Sequence, residues 1–139
     1  MEFLIVDDVP AKASLVKIIL EQFFDNIPIK VSMAKKFNSA CTYIENGDSF
    51  KIVFLDGDLK DEKTGVDLIP VIKKQRHLAA SEIVMISDNK NRVAEAKKLG
   101  VNKSLSYAEI EESVIAGRTP DNISEILEKL KKEMSCSSH

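Results

Sequence analysis

Short apolar runs that end on carboxylates are the feature of this sequence that most restricts its fold. Residues 52–55, Ile-Val-Phe-Leu, are followed at once by Asp56, Gly57 and Asp58. An unbroken apolar run of this length is typical of a strand buried on both faces, as in a parallel sheet. Ligands of open α/β sheets bind beyond the carboxyl ends of the strands, so Asp56 lies where chemistry is expected. A strand followed by a solvated acidic turn fits this stretch equally well.

The same kind of run recurs along the chain, with helical spacing in the intervals. The predicted strands cover residues 3–6, 29–33, 52–55, 83–86 and 101–107. The predicted helices cover residues 10–24, 38–46, 66–77, 91–99 and 108–117, and a last one begins near 120. Strands that alternate with helices predict an α/β fold: a doubly wound five-stranded parallel sheet of order 2-1-3-4-5, flavodoxin-like.

Composition and charge restrict the class of protein. The 139 residues are 44% hydrophobic and 30% charged, which predicts one globular domain over residues 1–134 and a flexible tail over 135–139. The net charge of -2 offers no basic surface to nucleic acid. No apolar run approaches the roughly 20 residues that span a membrane. Cys41 and Cys136 make neither a disulfide framework nor a zinc set. Because Met1 leads into a strand rather than a signal peptide, we expect a cytoplasmic protein.

The carboxylates at two strand ends should meet in the folded chain. Asp7 and Asp8 follow the first predicted strand, and Asp56 follows the third, which is its neighbour in the predicted sheet. Three adjacent carboxylates repel one another strongly unless a positive charge lies among them. A hard divalent cation with oxygen ligands would supply that charge, and we expect Mg²⁺. The alternative is that acidic residues end these strands only as turn formers.

With these residues in place, the chain resembles the receiver domain of two-component response regulators over about residues 1–107. The features that match are the pair Asp7 and Asp8, then Asp56, Ser87 after the fourth strand, and a third helix that begins at Gly65. The resemblance implies a stand-alone, chemotaxis-type regulator that accepts a phosphoryl group from a sensor histidine kinase or a phosphotransfer protein. It implies signalling to an unknown downstream protein by contact, as a switch rather than a turnover enzyme.

The resemblance also implies a role for each residue of the site. Asp56 would be the phosphoacceptor, attacking a phosphohistidine while Mg²⁺ shields the charges that meet there. Asp8 and Asp56 would ligate the metal directly, Asp7 through water, and Asp58 through its backbone carbonyl. The Ser87 hydroxyl would donate to a phosphoryl oxygen and swing inward on phosphorylation.

The sequence departs from the family after the fourth strand. The position of the family's lysine falls on Tyr107, and that of its aromatic switch residue falls on Ser104. Lys103 is the nearest lysine that could contact the phosphoryl group, but four residues along a strand cover roughly 13 Å. Asp88 replaces a small residue and would repel phosphate or recruit further cation. Residues 108–117 look like an added segment before the last helix.

Two other functions fit parts of the sequence. A degenerate receiver that binds proteins without being phosphorylated is favoured by Tyr107, Ser104 and Asp88. A small phosphatase of the haloacid-dehalogenase type would use Asp56 as nucleophile and Asp58 as general acid. That family has its metal-binding acidic pair after these motifs, whereas here the pair comes first.

Overall fold

The structure, a computed structural model, describes residues 1–137 as a parallel sheet with helices on both faces. Its strands are β1 Glu2–Val6, β2 Lys30–Ala34, β3 Phe50–Asp56, β4 Glu82–Ile86 and β5 Lys103–Leu105. They lie in the order β2-β1-β3-β4-β5, and every neighbouring pair is parallel. The predicted doubly wound, flavodoxin-like α/β fold is confirmed.

Among residues 1–137, six α-helices connect and follow the strands. They are α1 Pro10–Phe23, α2 Phe37–Glu45, α3 Leu68–Lys73, α4 Lys90–Lys98, α5 Tyr107–Ala116 and α6 Asp121–Ser137. The helix predicted over 66–77 is divided, with 3₁₀ turns at Gly65–Asp67 and Arg76–Leu78 on either side of α3. Because α3 begins only at Leu68, Pro70 lies in its first turn, where the missing N–H is not needed.

The fifth strand is shorter than the sequence pattern predicts. It ends at Leu105, and the chain enters α5 at Tyr107 instead of continuing as a strand. A capping box causes the change. The Ser106 hydroxyl accepts from the Glu109 N–H at 3.2 Å, and the Glu109 carboxylate accepts from the Ser106 N–H at 3.2 Å.

The core lies in two layers, one on each face of the sheet. Phe3 and Ile5 of β1 point toward the face that carries α1, α5 and α6, while Leu4 and Val6 point toward the face of α2, α3 and α4. Burial on both faces explains why the strands are apolar without alternation. Ile110 of α5 is fully buried, and α5 packs against α1. The segment predicted as an addition is therefore part of the core.

The C-terminal part of the chain is helical as far as the description reaches. Helix α6 continues to Ser137, so it includes the first residues of the tail predicted over 135–139. Residues 138–139, the end of that predicted tail, lie outside the described part of the chain. Within the described residues, none of the helices has the length and apolar character needed to cross a membrane.

Candidate functional site

Three carboxylates meet at the carboxyl edge of the sheet, as the strand order predicts. Oxygens of Asp7, Asp8 and Asp56 all lie within 4.8 Å of one another. Asp7 and Asp56 are buried at the ends of neighbouring strands, and Asp8 is half-buried in the loop that follows β1. This acidic cluster combines two buried carboxyl groups with one that solvent can reach, so a small ion could enter it from outside.

Backbone N–H groups hold each carboxylate of the acidic cluster in place. Asp7 accepts from the N–H of Val9 at 2.9 Å, and Asp56 accepts from the N–H of Asp58 at 3.0 Å. Both are bonds to the residue two positions ahead, so each carboxylate folds its own loop back over the strand end. Asp8 accepts from the N–H of Lys60 at 3.3 Å, which ties the β1 loop to the β3 loop.

Burial gives Asp56 an unusual protonation equilibrium. Removal from water is the largest cause that raises the pKa of its carboxyl to about 7. The hydrogen bond from the Asp58 N–H lowers this pKa, whereas the nearby Asp7 and Asp8 raise it. A group with that pKa is partly protonated near neutrality. A cation placed among the three carboxylates would favour the charged form of Asp56 instead.

The acidic cluster suits a hard divalent cation. Each of its possible metal ligands is a carboxylate oxygen. Two of these oxygens belong to the buried residues Asp7 and Asp56, which form no ion pair with a cationic side chain among the described residues. Oxygen donors of this kind match Mg²⁺ or Ca²⁺ better than metals that prefer nitrogen or sulfur. The predicted Asp58 carbonyl ligand stays a prediction, because the backbone contact shown for that residue is made by its N–H.

Ser87 lies at the end of β4, next to the acidic cluster, as predicted. Its side chain is buried, and its N–H donates to Leu105 at 3.0 Å, which fixes the neighbouring strand ends together. The hydroxyl donates to Oδ2 of Asp58 at 2.8 Å and accepts from the N–H of Asn89 at 2.9 Å. In this structure the Ser87 hydroxyl is therefore engaged by a carboxylate from the loop after Asp56.

Tyr107 enters the acidic cluster from α5. Its hydroxyl donates to Oδ2 of Asp7, and the ring lies under Lys12 of α1, whose Nζ is 3.9 Å from the ring centroid. Burial, and then the hydrogen bond to Asp7, raise the pKa of Tyr107 above its ordinary value. The raised pKa favours the neutral phenol, which donates a hydrogen bond at the position where the receiver family carries a lysine.

Lys103 is not brought to the site. It pairs with Val84 at the start of β5, whereas the strand end next to the site is the pair Leu105 and Ile86. It lines a cavity of about 470 Å³ together with Lys73 and with Glu82 and Ile83, the first residues of β4. The structure thus offers no support for Lys103 as a phosphoryl contact.

Asp88 has a structural contact that the sequence did not indicate. Its Oδ1 accepts from the N–H of Tyr107 at 3.2 Å, so it orients the residue that reaches Asp7. Ser104, at the predicted aromatic switch position, lies half-buried in β5 opposite Met85. The aromatic group on this side of the site is Tyr107.

Two cations near the site were missed by the sequence reasoning. Lys12 lies in the first turn of α1, and Arg92 lies in the first turn of α4, where its Nε is 3.5 Å from Oδ1 of Asp58. Each follows an acidic or hydroxyl strand end by five residues, Asp7 and Ser87 respectively. A search for basic residues in the first turn after each strand end would have found both.

A close backbone contact closes the loop after Asp56. A Cβ placed on Gly65 would lie 2.0 Å from the carbonyl oxygen of Asp56, so only glycine fits there. The glycine that the sequence reasoning assigned to the start of the third helix therefore lets the following turn pack directly on the strand end.

The fold and the site define the chain as a receiver domain, and comparison with protein families agrees. The sequence model of the family described as cyclic-phosphate processing receiver domain matches residues 3–101. That match covers most of the chain, so this protein belongs to the cyclic-phosphate processing receiver domain family. No curated protein matches the sequence.

Solved structures of response regulators share the fold. A CheY-like receiver domain from Methanospirillum hungatei JF-1 is 23% identical, with a TM-score of 0.65 over 96% of this chain and 93% of that one. The Mn²⁺-bound form of the response regulator Rcp1 is 21% identical, with a TM-score of 0.65 over 81% and 90% of the two chains. A Burkholderia pseudomallei response regulator with a phosphorylated aspartate and a calcium ion is 17% identical, with a TM-score of 0.66 over 99% and 75%.

Proposed function

We propose that this domain accepts a phosphoryl group on Asp56 and signals through protein contacts. The observation that carries the proposal is the buried Asp56 carboxylate, which shares one sheet edge with Asp7, Asp8 and the Ser87 hydroxyl. The phosphoryl donor would be a sensor histidine kinase or a phosphotransfer protein. We therefore propose that the domain acts in the cytoplasm. The B. pseudomallei neighbour, which carries a phosphorylated aspartate, supports this chemistry.

In the proposed reaction, an oxygen of Asp56 attacks the phosphorus of a phosphohistidine. The new P–O bond forms as the P–N bond breaks, and the departing imidazole nitrogen takes up a proton from solvent. Bound Mg²⁺, held by Asp7, Asp8 and Asp56, would neutralise charge between the carboxylate and the phosphoryl oxygens. The cation would also keep Asp56 ionised. This matters because the protonated carboxyl group is a poor nucleophile.

The domain is proposed as a switch, not a turnover enzyme. The phosphoryl group would remain on Asp56 and change the contacts of Ser87 until water removes it. The downstream partner would be a protein, because the net charge of -2 gives no basis for nucleic-acid binding.

Intact-mass measurement after incubation with acetyl phosphate and Mg²⁺ tests the proposal. We expect one added phosphoryl group on the wild type and none on Asp56→Asn, because the amide cannot act as the acceptor. Asp25→Asn, which neutralises an exposed carboxylate after α1, should gain the same mass as the wild type. If no adduct forms and Mg²⁺ does not bind in a titration, the domain is a binding module without the switch.

A second candidate is the hydrolysis of a cyclic phosphate, because the description of the family names cyclic-phosphate processing. A cyclic phosphodiester carries one negative charge, so it needs less positive charge than a phosphoryl group does. Tyr107 in place of a lysine fits that smaller requirement. Water would add to phosphorus, one ring P–O bond would break, and the departing alkoxide would take a proton. The Asp56 carboxylate, which lies at the strand end beside Asp7 and Asp8, would carry that proton from water to the leaving oxygen.

Incubation with a 2′,3′-cyclic nucleoside phosphate and Mg²⁺ separates the two candidates. Phosphomonoester accumulating over many turnovers, and abolished in Asp56→Asn, would support hydrolysis. A stable protein adduct with acetyl phosphate, and an unchanged cyclic compound, would support the switch. Both products can be followed by ³¹P NMR.

A further inference from the structure

Arg92 is a cation beside the site that the acceptor role of Asp56 does not explain. Its Nε lies 3.5 Å from Oδ1 of Asp58, and its Nη1 lies 3.4 Å from Glu95. The Nε atom is buried and makes no hydrogen bond within the described residues. Buried donors normally have an acceptor, and one without an acceptor is costly. An anion that approached Arg92 more closely than Asp58 does would satisfy it.

Asp58 connects Arg92 to Ser87. One of its carboxylate oxygens accepts from the Ser87 hydroxyl at 2.8 Å, while the other faces the guanidinium. The N–H of the same residue donates to Asp56 at 3.0 Å. The backbone of Asp58 thus contacts the phosphoacceptor, and its carboxylate has one oxygen on a hydroxyl and one on a cation, as two oxygens of a phosphoryl group on Asp56 would have.

A phosphoryl group could displace this carboxylate. The side chains of Asp58 and Arg92 are 47% and 31% exposed, and ion pairs so open to water contribute little stability. A phosphoryl group carries nearly two negative charges and three strong acceptor oxygens. The side chain of Arg92 starts close to Gly57, since a Cβ added to that glycine would lie only 3.2 Å from the Cβ of Arg92. Helix α4 therefore packs directly on the loop that follows Asp56.

We propose that Arg92 binds the phosphoryl group on Asp56, in place of the family's lysine, and that Asp58 occupies Arg92 and Ser87 until that group arrives. The inference rests on the proposed acceptor function of Asp56. In this protein the positive charge beside the phosphoryl group would come from α4, whereas the family's lysine comes from the end of β5.

The rate of phosphorylation by acetyl phosphate with Mg²⁺, followed by intact mass at subsaturating donor, tests this assignment. Arg92→Gln should react roughly tenfold more slowly than the wild type, since it loses a charged hydrogen bond. The rate of Arg92→Lys should fall between those of Arg92→Gln and the wild type, because lysine keeps the charge but cannot donate two parallel hydrogen bonds. Asp58→Asn should react several-fold faster. Lys98→Gln, which removes an exposed cation from the other end of α4, should match the wild type.

The outcomes separate this inference from the function on which it rests. Equal rates for Arg92→Gln and the wild type would overturn the role of Arg92 while leaving Asp56 as the acceptor. A rate for Asp58→Asn at or below the wild-type rate would overturn the displacement. A complete lack of adduct in every protein would overturn both proposals. Arg92→Met, which keeps the stem beside Gly57, gives the same readout if Arg92→Gln does not fold.

Discussion

At the scale of the residue, Tyr107 changes the charge balance of the site without leaving Asp7 unsatisfied. Its hydroxyl donates to Asp7, and the face of its ring lies against the ammonium of Lys12. A positive charge above an aromatic face is attracted to the ring and is held there. The site therefore keeps a hydrogen-bond donor where the family has a lysine, but that donor is neutral, and the ammonium of Lys12 lies over the ring face.

Replacing Tyr107 by phenylalanine should destabilise the metal-free protein by about 1–2 kcal/mol. The change removes a donor to the buried Asp7 carboxylate and keeps the ring under Lys12. Urea unfolding would measure the loss. Tyr43→Phe alters the other tyrosine of the chain, which packs on Phe50, and should stay within about 0.5 kcal/mol of the wild type. Equal losses in both variants would mean that the bond to Asp7 adds nothing.

At the scale of the element, the turn after β3 depends on the absence of a side chain at Gly65. Gly65→Ala would force Cβ against the Asp56 carbonyl and should cost about 3 kcal/mol of unfolding free energy. Gly47→Ala is the control: it lies in open space with φ of 89°, so only the left-handed backbone penalty of about 1 kcal/mol applies. Thermal unfolding of both variants would compare them, and a smaller loss at Gly65 would contradict the close contact.

Helix α5 is an integral element, and its two isoleucines provide a matched test. Ile110 is fully buried in the layer shared with α1 and α6, whereas Ile115 is 88% exposed. Ile110→Ala should lower the free energy of unfolding by about 3 kcal/mol, through lost burial and the cavity left behind. Ile115→Ala should change it by less than about 0.5 kcal/mol. Denaturant titration would show the difference, and similar small effects would place α5 outside the core.

At the scale of the whole molecule, the acidic cluster links stability to pH and to metal. The pKa of Asp56, about 7 in the folded protein, lies above the ordinary carboxyl value of about 4. Folding therefore favours the protonated group. Its stabilising contribution is complete below pH of about 4 and is lost as the pH rises through about 7.

Asp56→Asn should reveal that linkage, because the amide has no charge to lose. In metal-free buffer the variant should gain stability relative to the wild type between about pH 5 and about pH 8. Saturating Mg²⁺ should reverse the difference at the higher pH, since a cation that binds only the folded wild type adds stability by mass action. Urea unfolding of both proteins at about pH 5 and about pH 8, once with EDTA and once with Mg²⁺, measures these stability differences. A stability difference that stays constant with pH would contradict the raised pKa.

The amino-acid sequence by itself determined the fold and the position of the acidic cluster. Apolar runs of strand length, separated by helical spacing, leave few sheet orders, and the carboxyl ends of parallel strands must share one edge. Asp7, Asp8 and Asp56 were therefore found from local patterns and strand order, and Ser87 was found from the resemblance to receiver domains. The tertiary structure decided which side chains complete the site. Tyr107 reaches Asp7 across 100 positions, and Arg92 reaches Asp58 across 34, because helix packing brings them together. Contacts of that kind depend on how α4 and α5 dock on the sheet, and local periodicity carries no information about docking.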